Sequence, residues 1–518
     1  MEDLQSWAWL FLVVYIAGMV GIGLWAQRRV TGADDFATAR AGYGPLFLAF
    51  AFAATTASGA TFIGLPALAY KLGISLFWYA VLYPIGVYLG VYICLKLVSR
   101  TGNKFGSRSI PEFLGDRYQS DTVRILTALF SLLLFFYLAG QLVAGLVMFE
   151  RMLGLSAEWA LCITSIVLLC YVCLGGAHAD ILTDGVQGLL MVIISVVVFV
   201  LFLNGFGVDG GYDGMMDKLA ATDKKLLEPL HPDNILLNTP WALISLLVAH
   251  IPLGMLPHIG NKLWALKDGS QRNHFILITF ALGMTLPLVS AGGLLARAVL
   301  GDGLFADGFS PNEAIPALFI ELMPAWLAAL LSVTILSAIM STADGLVVST
   351  SQVFANDIYR KSLAPRLHPN ASEKEIDHKV LVLSRWGTAV VLLGSAVMAW
   401  HLQEMNVALL IWAGLGGMIS ALAGPLVFGA MWQGATRAGA LAGLIGGPMI
   451  FILAHMNLIA GSAQLLGLES TSSWLAMQAP NPYSCATLGC IVSVLLTYFV
   501  SKVTKPLPET HLMSMFER

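Results

Sequence analysis

The chain has 518 residues, of which 57% are hydrophobic and only 11% charged, and its mean hydropathy is +0.78. A soluble domain carries about 25% charged residues, so an ordinary soluble enzyme is excluded. The net charge of −3 offers no basic excess, and no nucleic-acid partner is expected.

The apolar residues fall in blocks of roughly twenty, the helix length that crosses a ~30 Å hydrocarbon core. They do not form the short alternating segments of a membrane β-barrel. The fold class is therefore all-α and polytopic, embedded in a lipid bilayer. The N-terminal Met-Glu-Asp-Leu-Gln-Ser-Trp lacks a basic leader region and the first block has no small-residue cleavage site, so that block is expected to stay as a helix. About thirteen transmembrane helices are predicted, at 7–27, 44–70, 74–98, 122–150, 157–174, 184–206, 239–261, 274–299, 325–359, 382–402, 406–431, 438–458 and 482–501. A short external helix is expected at 313–322. With the N-terminus outside, the inner connections hold 22 of the 28 Lys and Arg residues and the outer ones 6. The positive-inside rule then places the N-terminus outside and the C-terminus in the cytoplasm, as suits a bacterial inner membrane. No connection is long enough for a separate domain, so residues 1–518 form one transmembrane domain and function lies within the bundle.

Polar groups and helix breaks inside a bilayer are costly, so they mark candidate sites. The first such region is the small and hydroxylic run Ala53-Ala54-Thr55-Thr56-Ala57-Ser58-Gly59-Ala60-Thr61, followed by Gly64 and Pro66. Such a run lets the second span unwind and turn carbonyls toward a cavity; the plainer reading is close packing by small residues. The second region, in the ninth span, is Ser337-Ala338-Ile339-Met340-Ser341-Thr342-Ala343-Asp344-Gly345. Ala338, Ser341 and Thr342 share one helical face and make a half-site of hard oxygens for a small cation. Asp344, deep in a span, needs a cation, a proton or a basic partner, and no Lys or Arg is expected at its depth. The third is Asp184, read either as a site acid or as a cap at the start of the sixth span. The six cysteines, Cys94, Cys162, Cys170, Cys173, Cys485 and Cys490, lie in or beside apolar stretches, so no disulfide framework is expected; the Cys170–Cys173 pair reads as apolar packing.

At these residues the chain resembles the sodium:solute symporter family. The resemblance runs nearly end to end. It is carried by Tyr171-x-x-x-Gly175-Gly176 with Thr183-Asp184-x-x-Gln187, by Gly64-Leu65-Pro66, and by Ile110-Pro111-Glu112-Phe113-Leu114 with Arg117-Tyr118. Pro257-His258, Ala338-Ile339-Met340-Ser341-Thr342, Asn356-Asp357-Ile358-Tyr359, Met431-Trp432 and Thr436-Arg437-Ala438-Gly439-Ala440-Leu441-Ala442-Gly443 extend it, and the proline and pantothenate branches are the most similar.

The resemblance implies an inverted-repeat core of two five-helix units, 44–206 and 239–431, with one helix before them and two after. It implies no enzymatic activity but symport of a small organic solute with sodium. Sodium ligands implied by position are the carbonyls of Ala54, Ala57 and Ala338 and the hydroxyls of Ser341 and Thr342. Arg40 matches a basic residue linked to coupling. Asp184 matches an acid that some relatives use for a second sodium, while Asp344 stands where those relatives carry serine. Asp184, Ser341 and Asp344 therefore form a candidate second cation or proton site, the alternative being a structural Asp344. Tyr137 matches a tyrosine near the solute, whereas Ala249 and Leu253 replace the aromatics of the proline branch. Ser58, Thr61, Gln141, His250 and Trp412 are further candidates for the solute site. The expected solute is a small carboxylate, a pantothenate-like acid or an amino acid. A proton-coupled transporter of the same fold and a transporter-like solute sensor are the rival readings.

Overall fold

The computed structural model describes residues 2–306 and 309–516, with backbone alone for Glu2 and for residues 170–174. The Cys170–Cys173 pair and Tyr171 thus lie outside the described side chains. Every regular element among the described residues is helical; the single β-type contact is an isolated bridge between Tyr43 and Leu266. Ten helices are long and apolar enough to cross a membrane, or eleven if the bent pair Pro240–Met255 and Pro257–Ala265 is one span. The chain is an integral membrane protein. Two further apolar helices, Pro45–Thr56 and Ala157–Leu169, are too short to pass the same test alone. The expected external helix is present as Ala314–Leu322.

Three irregularities shape the bundle. The second span stops at Thr56 and resumes as a π-helical turn at Ala60–Gly64 and an α-helix at Leu65–Leu72. Its hydrogen bonds are rerouted at the break. The Thr56 carbonyl accepts from the Tyr83 hydroxyl at 2.7 Å, the Ala60 N–H donates to Ser58 Oγ at 3.1 Å, and the Gly59 N–H donates to Gln141 Oε1 at 2.8 Å. A Cβ at Gly59 would come within 2.9 Å of both Gln141 Oε1 and Ala144 Cβ, so the break needs glycine there.

The seventh span bends by 52° after Met255, where Pro252 and Pro257 each remove a backbone donor. The fifth and sixth spans, expected as 157–174 and 184–206, both lie within Ala157–Leu203 and are separated at Gly176, whose backbone is not helical, so the sixth begins near Gly176 and not at 184. That glycine holds φ of 52° and packs against Phe36, whose carbonyl oxygen would lie 2.5 Å from a Cβ. Asp184 is therefore two turns inside a helix and fully buried, not a cap at a membrane interface. The break falls at the expected glycines, but the sixth span starts earlier than expected because His178 and Asp180 read as part of the loop, whereas packing keeps them helical.

The core helices converge on the broken second span. Pro45–Thr56 packs on Ala157–Leu203 and on Arg272–Thr285, and Ala325–Gln352 packs on Ala157–Leu203, Leu134–Leu153 and Glu373–Leu402. At one end, ion pairs link the connecting segments in a chain from Arg40 through Asp34, Arg108, Asp377 and Arg360 to Glu373.

Candidate functional site

Two polar centres meet at the break of the second span. The first joins the second and ninth spans. Ser341 and Thr342 follow Ala338 by three and four residues, so one helical face carries all three toward the break. The Ser341 hydroxyl donates to the carbonyls of Ala54 at 3.1 Å and Ala338 at 3.2 Å. The Thr342 hydroxyl donates to the carbonyl of Thr55 at 3.1 Å, a residue that sequence reasoning did not select. Ala57 sits at the break itself, with φ −91° and ψ 88°. Neutral oxygens from an unwound backbone and two hydroxyls suit a small hard cation without bringing in a fixed charge.

The second centre is charged. Asp180, Asp184 and Asp344 are buried, with carboxylate oxygens within 4.8 Å of one another. The expectation that no basic residue reaches this depth is overturned. Lys262, counted above among the basic residues of an inner connection, has a side chain only 3% exposed. Its Nζ lies 2.9 Å from Asp180 Oδ2 and donates to Asp184 Oδ2. The bend of the seventh span turns the short segment Asn261–Ala265 back into the bundle, which hydropathy along the chain does not register. Of the expected grouping of Asp184, Ser341 and Asp344, the two acids stand together with Asp180. Ser341 spends its hydroxyl on carbonyls, and the hydroxyls that reach the acids are Thr55, 2.5 Å from Asp184 Oδ2, and Thr183, 3.2 Å from Asp344 Oδ2. Asp344 Oδ1 also accepts from the Gly345 N–H at 2.9 Å.

Beside the break lies a small pocket lined by Thr56, Ser58, Ala60, Thr61, Leu65, Tyr79, Tyr83, Tyr137, His250, Leu253, Ile411, Trp412 and Leu415. Five residues expected at a solute site, Ser58, Thr61, Tyr137, His250 and Trp412, are brought together there. The sixth, Gln141, is not in the lining; its amide oxygen supports the backbone break instead. His250 has both ring nitrogens engaged: Nδ1 donates to the Leu246 carbonyl at 2.6 Å, leaving Nε2 to accept from Tyr79 at 3.1 Å. Its ring packs at 4.7 Å from Trp412. Sequence reasoning missed Tyr79 and Tyr83, because tyrosine in a helix gives no signal of the face it occupies. The lining contains no Asp, Glu, Lys or Arg.

Arg40 lies away from both centres. It makes a two-point ion pair with Asp34, at 2.9 and 2.8 Å, and reaches Asn103 Oδ1 at 2.7 Å and the Ser107 carbonyl at 2.8 Å. It ties the approach to the second span to the end of helix Phe77–Phe105.

The model of the sodium:solute symporter family matches residues 36–447. The sodium/proline symporter of Escherichia coli K12 is 31% identical over 462 residues, 85% of this chain and 86% of that protein. The sodium/pantothenate symporter of Haemophilus influenzae is 26% identical over 447 residues, 85% and 89% of the two chains. Among solved structures, a Na⁺-coupled sialic acid symporter in an outward-open, substrate-bound state superposes with a TM-score of 0.73 at 19% identity, covering 97% of this chain and 99% of its own. That likeness is one of fold.

Proposed function

The chain belongs to the sodium:solute symporter family, and from that premise we propose that it is a sodium-coupled symporter that carries a small organic solute into the cell by alternating access. The observation that carries this reading is the pair of hydroxyls, Ser341 and Thr342, reaching across from the ninth span to carbonyls freed at the break of the second. The carbonyls of Ala54, Ala57 and Ala338 with those hydroxyls form the sodium site in this reading. A cation there joins two helices that must move relative to one another, so its occupancy biases one arrangement of the bundle.

The neighbouring cavity is the solute site, with Ser58, Thr61, Tyr137 and Trp412 as contacts and His250 as the residue that holds Tyr79. Its lining supplies hydroxyls and ring faces but no fixed charge. A small carboxylate or zwitterion, such as a pantothenate-like acid or an amino acid, then finds its positive counter-charge in the bound sodium. Solute binding is thereby made conditional on the ion, and each tightens the other by the same factor. The two units 44–206 and 239–431 rock about this centre, each opening with a broken helix. The N-terminus lies outside, and the ion-pair chain from Arg40 to Glu373 closes the inner end and must part for release. The buried acids keep one rival alive, a proton-driven transporter of the same fold.

Uptake into proteoliposomes decides between them. Carboxylates, amino acids and sugars are first screened for a rise in thermal stability of the purified protein with and without sodium. The stabilising solute is then followed with sodium or choline outside at constant pH. Uptake lost in choline supports the sodium reading, and uptake that persists in choline and follows an imposed pH gradient overturns it.

A further inference from the structure

Three carboxylates buried together in a membrane bundle require positive charge. Their arrangement is that of a cation site: Asp180 and Asp184 lie one turn apart on the helix beyond Gly176, Asp344 approaches from the ninth span, and their oxygens fall within 4.8 Å of one another. The molecule places its own cation there. Lys262 contacts Asp180 and Asp184, and it comes from neither of the acids' helices but from the segment just past the 52° bend of the seventh span.

Two independent features show that this is more than a closed ion pair. A small pocket adjoins the ammonium, with Asp180, Lys262, His258, Asn261, Ser349 and Thr38 among its lining residues. In its wall His258, 2% exposed, has neither ring nitrogen hydrogen-bonded, and the buried Asp184 Oδ1 also has no hydrogen-bond partner. Unused ligand atoms therefore stand beside the lysine.

We propose that the Lys262 ammonium is a tethered occupant of a second cation position formed by Asp180, Asp184 and Asp344, so that one sodium ion, not two, accompanies each solute. Ammonium and sodium carry the same charge and need the same carboxylate oxygens, so they exclude one another. A tethered cation travels with the bend of the seventh span and returns with it, adding nothing to the ion flux. Thr55 connects the two cation positions: its hydroxyl donates to Asp184 and its carbonyl accepts from Thr342. The inference rests on the sodium-coupled reading above.

The test counts radiolabelled sodium, with no solute present, bound at saturation to the purified full-length protein. The expected count is one for the wild type, one for Lys262→Arg, and two for Lys262→Met, in which an apolar chain of similar length vacates the carboxylates. Two ions on the wild type overturn the proposal, whether or not Lys262→Met folds. One ion on a folded Lys262→Met overturns it as well. No sodium on the wild type defeats the sodium-coupled reading itself and the proposal with it, an outcome distinct from a count of two.

Discussion

At the break of the second span, consecutive residues face different chemistry. The side chain of Thr55 donates to a carboxylate already paired with an ammonium, whereas the carbonyl of Thr56 accepts from Tyr83 at the edge of a cavity without charged lining. The acid cluster is given a positive charge from within the chain, by Lys262. The cavity has no internal charge to spend, so whatever ion or solute enters supplies its own. Fixed charge and exchangeable charge are thus kept apart by a single peptide unit.

The sharpest way to break this contrast is to unbalance the cluster. Lys262→Ala leaves buried Asp180 and Asp184 without their cation, and losing one partner of a buried ion pair costs about 3–5 kcal/mol. Unfolding in detergent is expected to show that loss, with part of it recovered as sodium concentration rises. A variant as stable as the wild type at low sodium would show that the acids do not depend on the lysine. Ser341→Ala acts on the exchangeable side, removing a hydroxyl without stranding a charge. Sodium half-saturation of transport should rise about tenfold, or ~1.4 kcal/mol, and by linkage the solute should weaken at low sodium and recover at high sodium. An unchanged sodium dependence would remove Ser341 from the ion site.

Tyr83→Phe takes away one neutral hydrogen bond to the break, a change of about 1 kcal/mol. Solute affinity is expected to fall about fivefold by the same principle, with sodium stoichiometry unchanged. The last effect lies outside the membrane and apart from both centres. Burial pushes the Asp116 carboxyl up from 3.8 to about 6, against the lowering effect of the Ser107 hydroxyl. Here the folded state holds its proton more tightly than the unfolded chain. The cost of the buried charge is therefore absent below 3.8, grows between 3.8 and about 6, and is complete above that. Asp116→Asn should flatten the fall of stability across that window in pH-dependent unfolding.

Hydropathy and spacing made the membrane class legible, because a bilayer admits only long apolar helices or closed barrels and the chain contains blocks of helical length. The glycine and hydroxyl run at 53–61 and the i, i+3, i+4 set at Ala338, Ser341 and Thr342 pointed to the same junction, since unwinding and face-sharing are local properties. The number and bounds of complete spans were less legible: a break divides an apolar block at Thr56, and the span beyond Gly176 starts earlier than its hydropathy suggests. Gln141 was placed in the solute site because its polarity and depth fit, but neither reveals which backbone group a side chain will serve.

What the sequence determined by itself is the class of the protein, the break in its second span and the hydroxyls that meet there, all consequences of short-range periodicity and composition. Only the tertiary structure decided where Lys262 goes. A residue that any linear rule assigns to an inner connection is carried by a bend of 52° into contact with acids some eighty positions earlier in the chain, because burying three carboxylates costs more than bending a helix at two prolines.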